Sequence, residues 1–143
     1  MKVKDLLRHN SKEIITIEPT AKIGDAMGLL VKHRISSLPV VDEEASVVGI
    51  ISDRDIFREA FDDPDNYRDI TVGERMTTEV IIGVPDDEIS YIAGIMTNNR
   101  IRHVPIVDEG KLVGLISTGD VVKTQMDKLQ TENRYLRQYI MQG

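Results

Sequence analysis

The segment Val48 to Phe57, VGIISDRDIF, recurs near the end of the chain as Val113 to Val122, VGLISTGDVV. In each, an apolar run ends at a serine, and an aspartate three residues later opens a second apolar segment. That is the order of a strand feeding the N-terminus of a helix. Ser52 with Asp55, and Ser117 with Asp120, stand at the S-x-x-D spacing that puts a hydroxyl at the N-cap and a carboxylate at N3. Alone, either motif reads first as a capping box, which satisfies free helix amides and needs no ligand. Repetition inside a longer matched block raises the functional reading.

The matching extends outward from this block. Leu38-Pro39-Val40-Val41-Asp42 returns 66 residues later as Val104-Pro105-Ile106-Val107-Asp108, each a short buried strand. Ile23, Met27, Leu30 and Arg34 share a helical face, and Ile89, Ala93, Met96 and Arg100 repeat it at the same offset. Before these helices lie the β-branched runs Ile14 to Ile17, ahead of Glu18-Pro19, and Val80 to Pro85, both expected as strands ended by proline. Val3 to His9, with Val3, Leu6 and Leu7 on one face, is a short amphipathic turn or helix whose counterpart is Val72 to Met76. The register slips by one residue where Glu43 to Ser46 makes a longer turn than Glu109-Gly110.

The expected class is therefore α+β. Two pseudo-symmetric repeats, 1–61 and 70–126, each run strand-helix-strand-strand-helix and pack as one module. A polar linker, 62–69, joins them, and a helical tail, 127–143, follows. A repeat of this kind cannot bury its apolar face alone, so the halves should pair about a pseudo-two-fold axis with clefts where they meet. A cleft lined by strand ends and two helix N-termini suits a phosphate-bearing ligand.

With 143 residues, 41% of them hydrophobic, the chain can build one core of ordinary size. It has no cysteine, which excludes disulfides, thiol nucleophiles, zinc-thiolate sites and iron–sulfur clusters. No run approaches the roughly 18 apolar residues of a membrane span, and MKVKDLLRHNSKEI lacks the apolar core of a signal peptide. The expectation is a soluble cytoplasmic protein with no membrane partner. A net charge of −6 argues against general nucleic-acid binding, which needs a concentrated basic surface. His9, His33 and His103 lack metal-cluster spacing, and no serine stands in a nucleophile elbow. Asp53 and Asp55 resemble a hydrolytic pair, but the repeat already explains their neighbours. Neither catalysis nor a metal or cofactor is expected.

In both copies the apolar-Pro-Val-Val-Asp strand and the G-apolar-apolar-S-x-x-D-apolar signature resemble a tandem pair of cystathionine beta-synthase (CBS) domains, the Bateman module, over roughly Met1 to Met126. The resemblance implies a stand-alone sensor that binds AMP, ADP, ATP or S-adenosylmethionine between the repeats and regulates a partner without catalysing a reaction. It implies that Asp55 and Asp120 hold a ribose diol, with Ser52, Ser117 and Thr118 beside the sugar or phosphate. An ionised carboxylate can accept from both vicinal hydroxyls. Arg102 and His103, with Arg54, become the phosphate contacts, making affinity fall with added salt and with rising pH. Thr16, Ile17, Ser37, Pro39, Ile81, Ile82, Val104 and Pro105 would line the base pocket, although these are equally good core residues. Because Ser36-Ser37 stands where the second copy has Arg102-His103, the two sites should not be equivalent. The competing reading is a ligand-free interaction or dimerisation module whose serines and aspartates are only caps.

Beyond Val122, the residues Met126, Leu129, Asn133, Leu136 and Ile140 continue in alternating steps of four and three, a coiled-coil seam. A homodimer aided by this helix is expected; the alternative is a helix folded back on its own module. The regulated effector would be a separate polypeptide.

Overall fold

Pro39 and Pro105 sit in the first strands of two antiparallel hairpins in the computed structural model, which describes residues 1–10 and 12–142. Strand β1 (Ser37–Val41) pairs with β2 (Val47–Ser52), and β3 (His103–Asp108) with β4 (Lys111–Ser117). The registers match: Ser37 lies opposite Ser52, and His103 opposite Ser117. The short turn has Glu109 at φ 51° and Gly110 at φ 78°, the two positive values that a two-residue hairpin turn needs to follow strand twist. The longer turn is held by Asp42, whose Oδ1 accepts from the Glu44 and Ser46 amides at 2.9 and 3.0 Å.

The helices are α1 (Val3–His9), α2 (Ile23–His33), α3 (Asp53–Asp62), α4 (Val72–Arg75), α5 (Ile89–Asn99) and α6 (Thr118–Gln142), with a 3-10 turn at Tyr67–Asp69. Arg34 and Arg100 do not extend the apolar faces of α2 and α5 as the periodicity suggests. They end those helices in the left-handed conformation, φ 55° and 53°, and the next amides, Ile35 and Ile101, reach back to the carbonyls of Leu30 and Met96 at 3.1 Å each.

The expected strands at Ile14 to Ile17 and Val80 to Pro85 shrink to one parallel bridge residue each, Ile17 beside Val40 and Gly83 beside Ile106. Ile17 N donates to Pro39 O at 3.1 Å and Val41 N to Ile17 O at 3.0 Å, with the same pattern around Gly83. Extending the ladder backward would need an N–H on Pro39 or Pro105, and extending it forward one on Pro19 or Pro85. Proline has none, so both ladders are cut on both sides.

Two apolar cores form, and each contains a helix from the other repeat. Val3 and Leu6 of α1 are buried with Ile89, Ile92, Met96, Val104, Ile106, Ile116 and Val121, while Val72 of α4 is buried with Ile17, Ile23, Ala26, Leu30, Leu38, Val40, Ile51 and Ile56. Backbone bonds fix the exchange: Val3 N to Asp87 O at 2.9 Å and Lys4 N to Pro85 O at 2.9 Å, and reciprocally Val72 N to Ala21 O at 2.7 Å and Gly73 N to Pro19 O at 2.8 Å. Gly49 and Gly114 admit the crossing helices. A Cβ at Gly49 would fall 2.5 Å from Met76 Sδ, and one at Gly114 would fall 2.5 Å from Leu7 Cδ2.

Helix α6 continues unbroken past the module, and its seam is open to solvent, with Met126 53%, Leu129 64%, Leu136 56% and Ile140 74% exposed. It is not folded back on its own repeat.

Leu6→Ala should cost about 2–5 kcal/mol, the range for truncating a buried leucine. Because Leu6 completes the second repeat's core from the first, urea unfolding should stay a single transition with a lower midpoint. A loss below about 1 kcal/mol, or a second transition, would show that α1 is peripheral.

Candidate functional site

Both S-x-x-D motifs close as capping boxes. Ser52 Oγ accepts from Asp55 N at 3.2 Å while Asp55 Oδ2 accepts from Ser52 N at 3.0 Å; in the second copy the distances are 3.1 Å for Ser117 Oγ and 2.9 Å for Asp120 Oδ2. Among the described residues, each carboxylate takes its hydrogen bond through Oδ2 alone. Its other oxygen stays available at a half-buried helix N-terminus, where the amides and dipole favour anions.

Asp120 and Ser117 open onto a cleft of about 270 Å³ between the repeats. It is lined by Ile14, Ile15, Ile35 and Ser37 from the first repeat and His103, Leu115 and Ile116 from the second, together with Leu7, Asn10, Lys12 and Glu13. Ser37 is 2% exposed, and its hydroxyl, at the cleft lining, is buried without a hydrogen-bond partner. Leaving such a group unpaired costs on the order of 1–3 kcal/mol. A wider groove of about 680 Å³ between α1 and α6 shares Asn10 and Asp120, but is lined by one face of each helix rather than by the two repeats' strands.

The pseudo-symmetric position around Asp55 is built differently. Six residues join Leu7 to Ile14, but only three join the equivalent Met76 to Val80. The shorter connection lies against β2, where Ile50 N donates to Thr77 O at 3.0 Å and Thr77 N to Ile50 O at 2.9 Å. Thr77 thus covers the edge at Ile50, whereas the matching Leu115 faces the open cleft.

Of the residues singled out from sequence, the cleft gathers Ser37, His103, Ser117 and Asp120. Ser52 and Asp55 cap the other helix, with Arg54 exposed beside them. Thr118 is exposed at the start of α6, its amide and hydroxyl both donating to Arg102 O. Ile17, Val104, Pro39 and Pro105 lie in the packed interior and outside the cleft wall: Ile17 is 6% exposed, Val104 0%, and both prolines are fully buried. Thr16 and Ile81 are half-buried and Ile82 is exposed; none of the three lies in the cleft wall. The wall residues Ile14, Ile15 and Ile35 precede the expected positions Thr16, Ile17 and Ser37 by two residues each. Arg102 points across the repeats to Asp53, with Nη2 to Oδ1 at 3.1 Å. Among the described residues no His, Asp and Glu cluster could hold a metal, and no helix is long and apolar enough to cross a membrane.

The CBS domain model matches residues 3–62 and 68–127, and the chain belongs to the CBS domain family. The CBS pair is a regulatory module, generally without catalysis of its own. The CBS-domain protein ATU1752 of Agrobacterium tumefaciens superposes with a TM-score of 0.82 at 34% identity, covering 87% of this chain and 99% of that one. The CBS pair of protein MJ0100, in complex with 5-methylthioadenosine and S-adenosyl-L-methionine, gives 0.77 at 35% identity, covering 90% and 98%. CBSX2 in complex with AMP gives 0.76 at 28%, covering 88% and 96%. Curated relatives include longer proteins. The chain spans 41% of Methanocaldococcus jannaschii MJ1225 at 28% identity over 85% of itself, and 22% of an inosine-5'-monophosphate dehydrogenase from Aquifex aeolicus at 37% over 76%.

Burial pushes the pKa of His103 below the ordinary histidine value, helped by the Arg102 charge and opposed by Asp120 and Asp53. The folded chain therefore binds this proton less readily than the unfolded chain, so the contribution of His103 to stability is full above the unfolded value of about 6.5. It is lost as pH falls from there through the folded pKa. An NMR titration of the His103 ring should show a midpoint below 6.5, and His103→Gln should remove that part of the acid destabilisation. A midpoint at or above the ordinary value would contradict the burial argument.

Proposed function

We propose that the cleft at Asp120 binds one adenine nucleotide per chain, of about the size of AMP, and that its occupancy modulates a separate partner protein. The observation that carries this reading is the meeting of a free carboxylate oxygen, an unpartnered buried hydroxyl at Ser37 and isoleucine walls from both repeats in one cleft. Asp120 would accept from the ribose hydroxyls and Ile14, Ile15 and Ile35 would flank the base. The α6 N-terminus and His103 would face the phosphate. A volume near 270 Å³ lies just below the roughly 300–1,000 Å³ of typical ligand sites, in keeping with a compact ligand such as a nucleoside monophosphate. The MJ0100 and CBSX2 complexes, with S-adenosylmethionine, 5-methylthioadenosine and AMP, support the adenosine moiety as the common feature.

The second reading, a ligand-free interaction module, rests on the capping role that Ser52, Asp55, Ser117 and Asp120 fulfil in the fold itself. Calorimetry separates the two. AMP should bind near one per chain, and Asp120→Ala should weaken it by about 1–3 kcal/mol through loss of a charge-assisted bond, while Asp55→Ala leaves it nearly unchanged. No heat with AMP, ADP, ATP or S-adenosylmethionine would leave the interaction reading. Equal effects of the two substitutions would remove the single-site assignment.

We also propose that the chain is a homodimer in which the α6 tails pair in parallel. With Met126, Asn133 and Ile140 at a and Val122, Leu129 and Leu136 at d, Asn133 is the one polar seam position and favours two in-register strands. So few heptads cannot hold a dimer unaided. Phe57 and Phe61 on α3 and Val122 and Met126 on α6, at matched positions and all exposed, offer a module face for a second copy. Sedimentation of a chain truncated after Lys123 should show weaker dimerisation than the full chain. Equal association would assign the dimer to the modules alone.

A further inference from the structure

Arg102 and Asp53 belong to different repeats, and among the described residues their ion pair has no symmetric copy. The positions that match them are Ser36 and Thr118, which carry no charge. Both partners are anchored by backbone. Arg102 O accepts from Thr118 N at 2.9 Å, two residues before Asp120, and Asp53 N donates to Ser36 O at 2.9 Å. Asp53 Oδ1 also accepts from Arg54 N at 2.7 Å, so the carboxylate facing Arg102 is fixed at the first turn of α3. The residue after Arg102 is His103, part of the cleft wall, yet Arg102 itself is not, because its guanidinium is turned to Asp53.

We propose that Asp53 is an internal anion that competes with the phosphate of a bound nucleotide for Arg102, and so sets the preference between phosphorylated and unphosphorylated ligands. This rests on the cleft assigned above. The guanidinium fork fits carboxylate and phosphate alike, so a phosphate in the cleft gains Arg102 only as Asp53 yields it. Side-chain exposures of 59% for Arg102 and 55% for Asp53 make the pair weak and exchangeable rather than locked. An uncharged nucleoside neither needs Arg102 nor meets repulsion from Asp53. The carboxylate therefore discriminates against charge while leaving adenosine untouched.

The test uses the full chain. Asp53→Asn keeps an acceptor for Arg54 N and removes the charge; Asp53→Ser serves if Asn impairs folding. In calorimetry, AMP should bind about two- to fivefold tighter to the Asp53 variant, the range of an exposed ion pair, and adenosine should be unchanged. In an Arg102→Gln background the gain should vanish. An unchanged AMP-to-adenosine ratio, or an equal gain for adenosine, overturns the proposal. If adenosine and AMP both fail to bind the natural chain, the nucleotide reading fails separately. Pyrophosphate titrated against the His103 ring resonances then decides the competition. Tighter binding to Asp53→Asn, lost with Arg102→Gln, supports it, and equal binding to the natural chain and the variant overturns it.

Discussion

Each repeat lacks one wall of its own core and receives it from the other. Val3 and Leu6 close the second core and Val72 the first, and the crossing is held by main-chain bonds at matched positions. Burying a leucine or valine contributes about 1.5–3 kcal/mol each, so neither core is complete without the exchange. The glycines of the two VVGIIS-like strands follow from the same constraint, since a side chain at Gly49 or Gly114 would occupy the space of Met76 or Leu7. The cleft is a by-product of this construction. It lies where the chain passes from α1, packed in the second core, back to the first core at Ile17, and its lining joins Ile14 and Ile15 with Ser117 and Asp120.

The symmetry of the framework makes its departures informative. Three extra residues after Leu7 leave the Leu115 edge open, while the shorter path after Met76 lets Thr77 bond to Ile50. The Asp53–Arg102 pair likewise has no chemical counterpart at Ser36 and Thr118. One half of the duplicated framework thus keeps a cleft open beside its capping aspartate, and the other is closed by its own main chain. The cap uses only one of the two oxygens of Asp120, which leaves the other for the proposed ligand.

Repeats, hairpins and the helix N-termini were legible because their signals are local: proline-centred apolar runs, the S-x-x-D spacing and 3.6-residue periodicity. Arg34 and Arg100 misled because a C-terminal left-handed residue continues the spacing of a face without belonging to it. The ladders at Ile17 and Gly83 fail to extend backward because of Pro39 and Pro105, 22 residues away in the partner strand, which a local reading of β-branched runs does not weigh. Ser117 and Asp120 are legible from the repeated S-x-x-D spacing, and Ser37 and His103 from the family resemblance; the four line one cleft. Ile14, Ile15 and Ile35 were missed because only the three-dimensional crossing decides which side of a truncated strand faces the cleft. Nothing in the sequence announced that Arg102 would turn to Asp53, 49 residues away.

The reciprocal exchange is tested most directly by native-state hydrogen exchange read amide by amide. If each core depends on the other repeat's helix, the slowest amides of the β1–β2 and β3–β4 hairpins should share one opening free energy, and the α1 amides bonded to Pro85 and Asp87 should be protected with them. Two hairpins opening at distinct free energies, with α1 exchanging freely, would contradict the account.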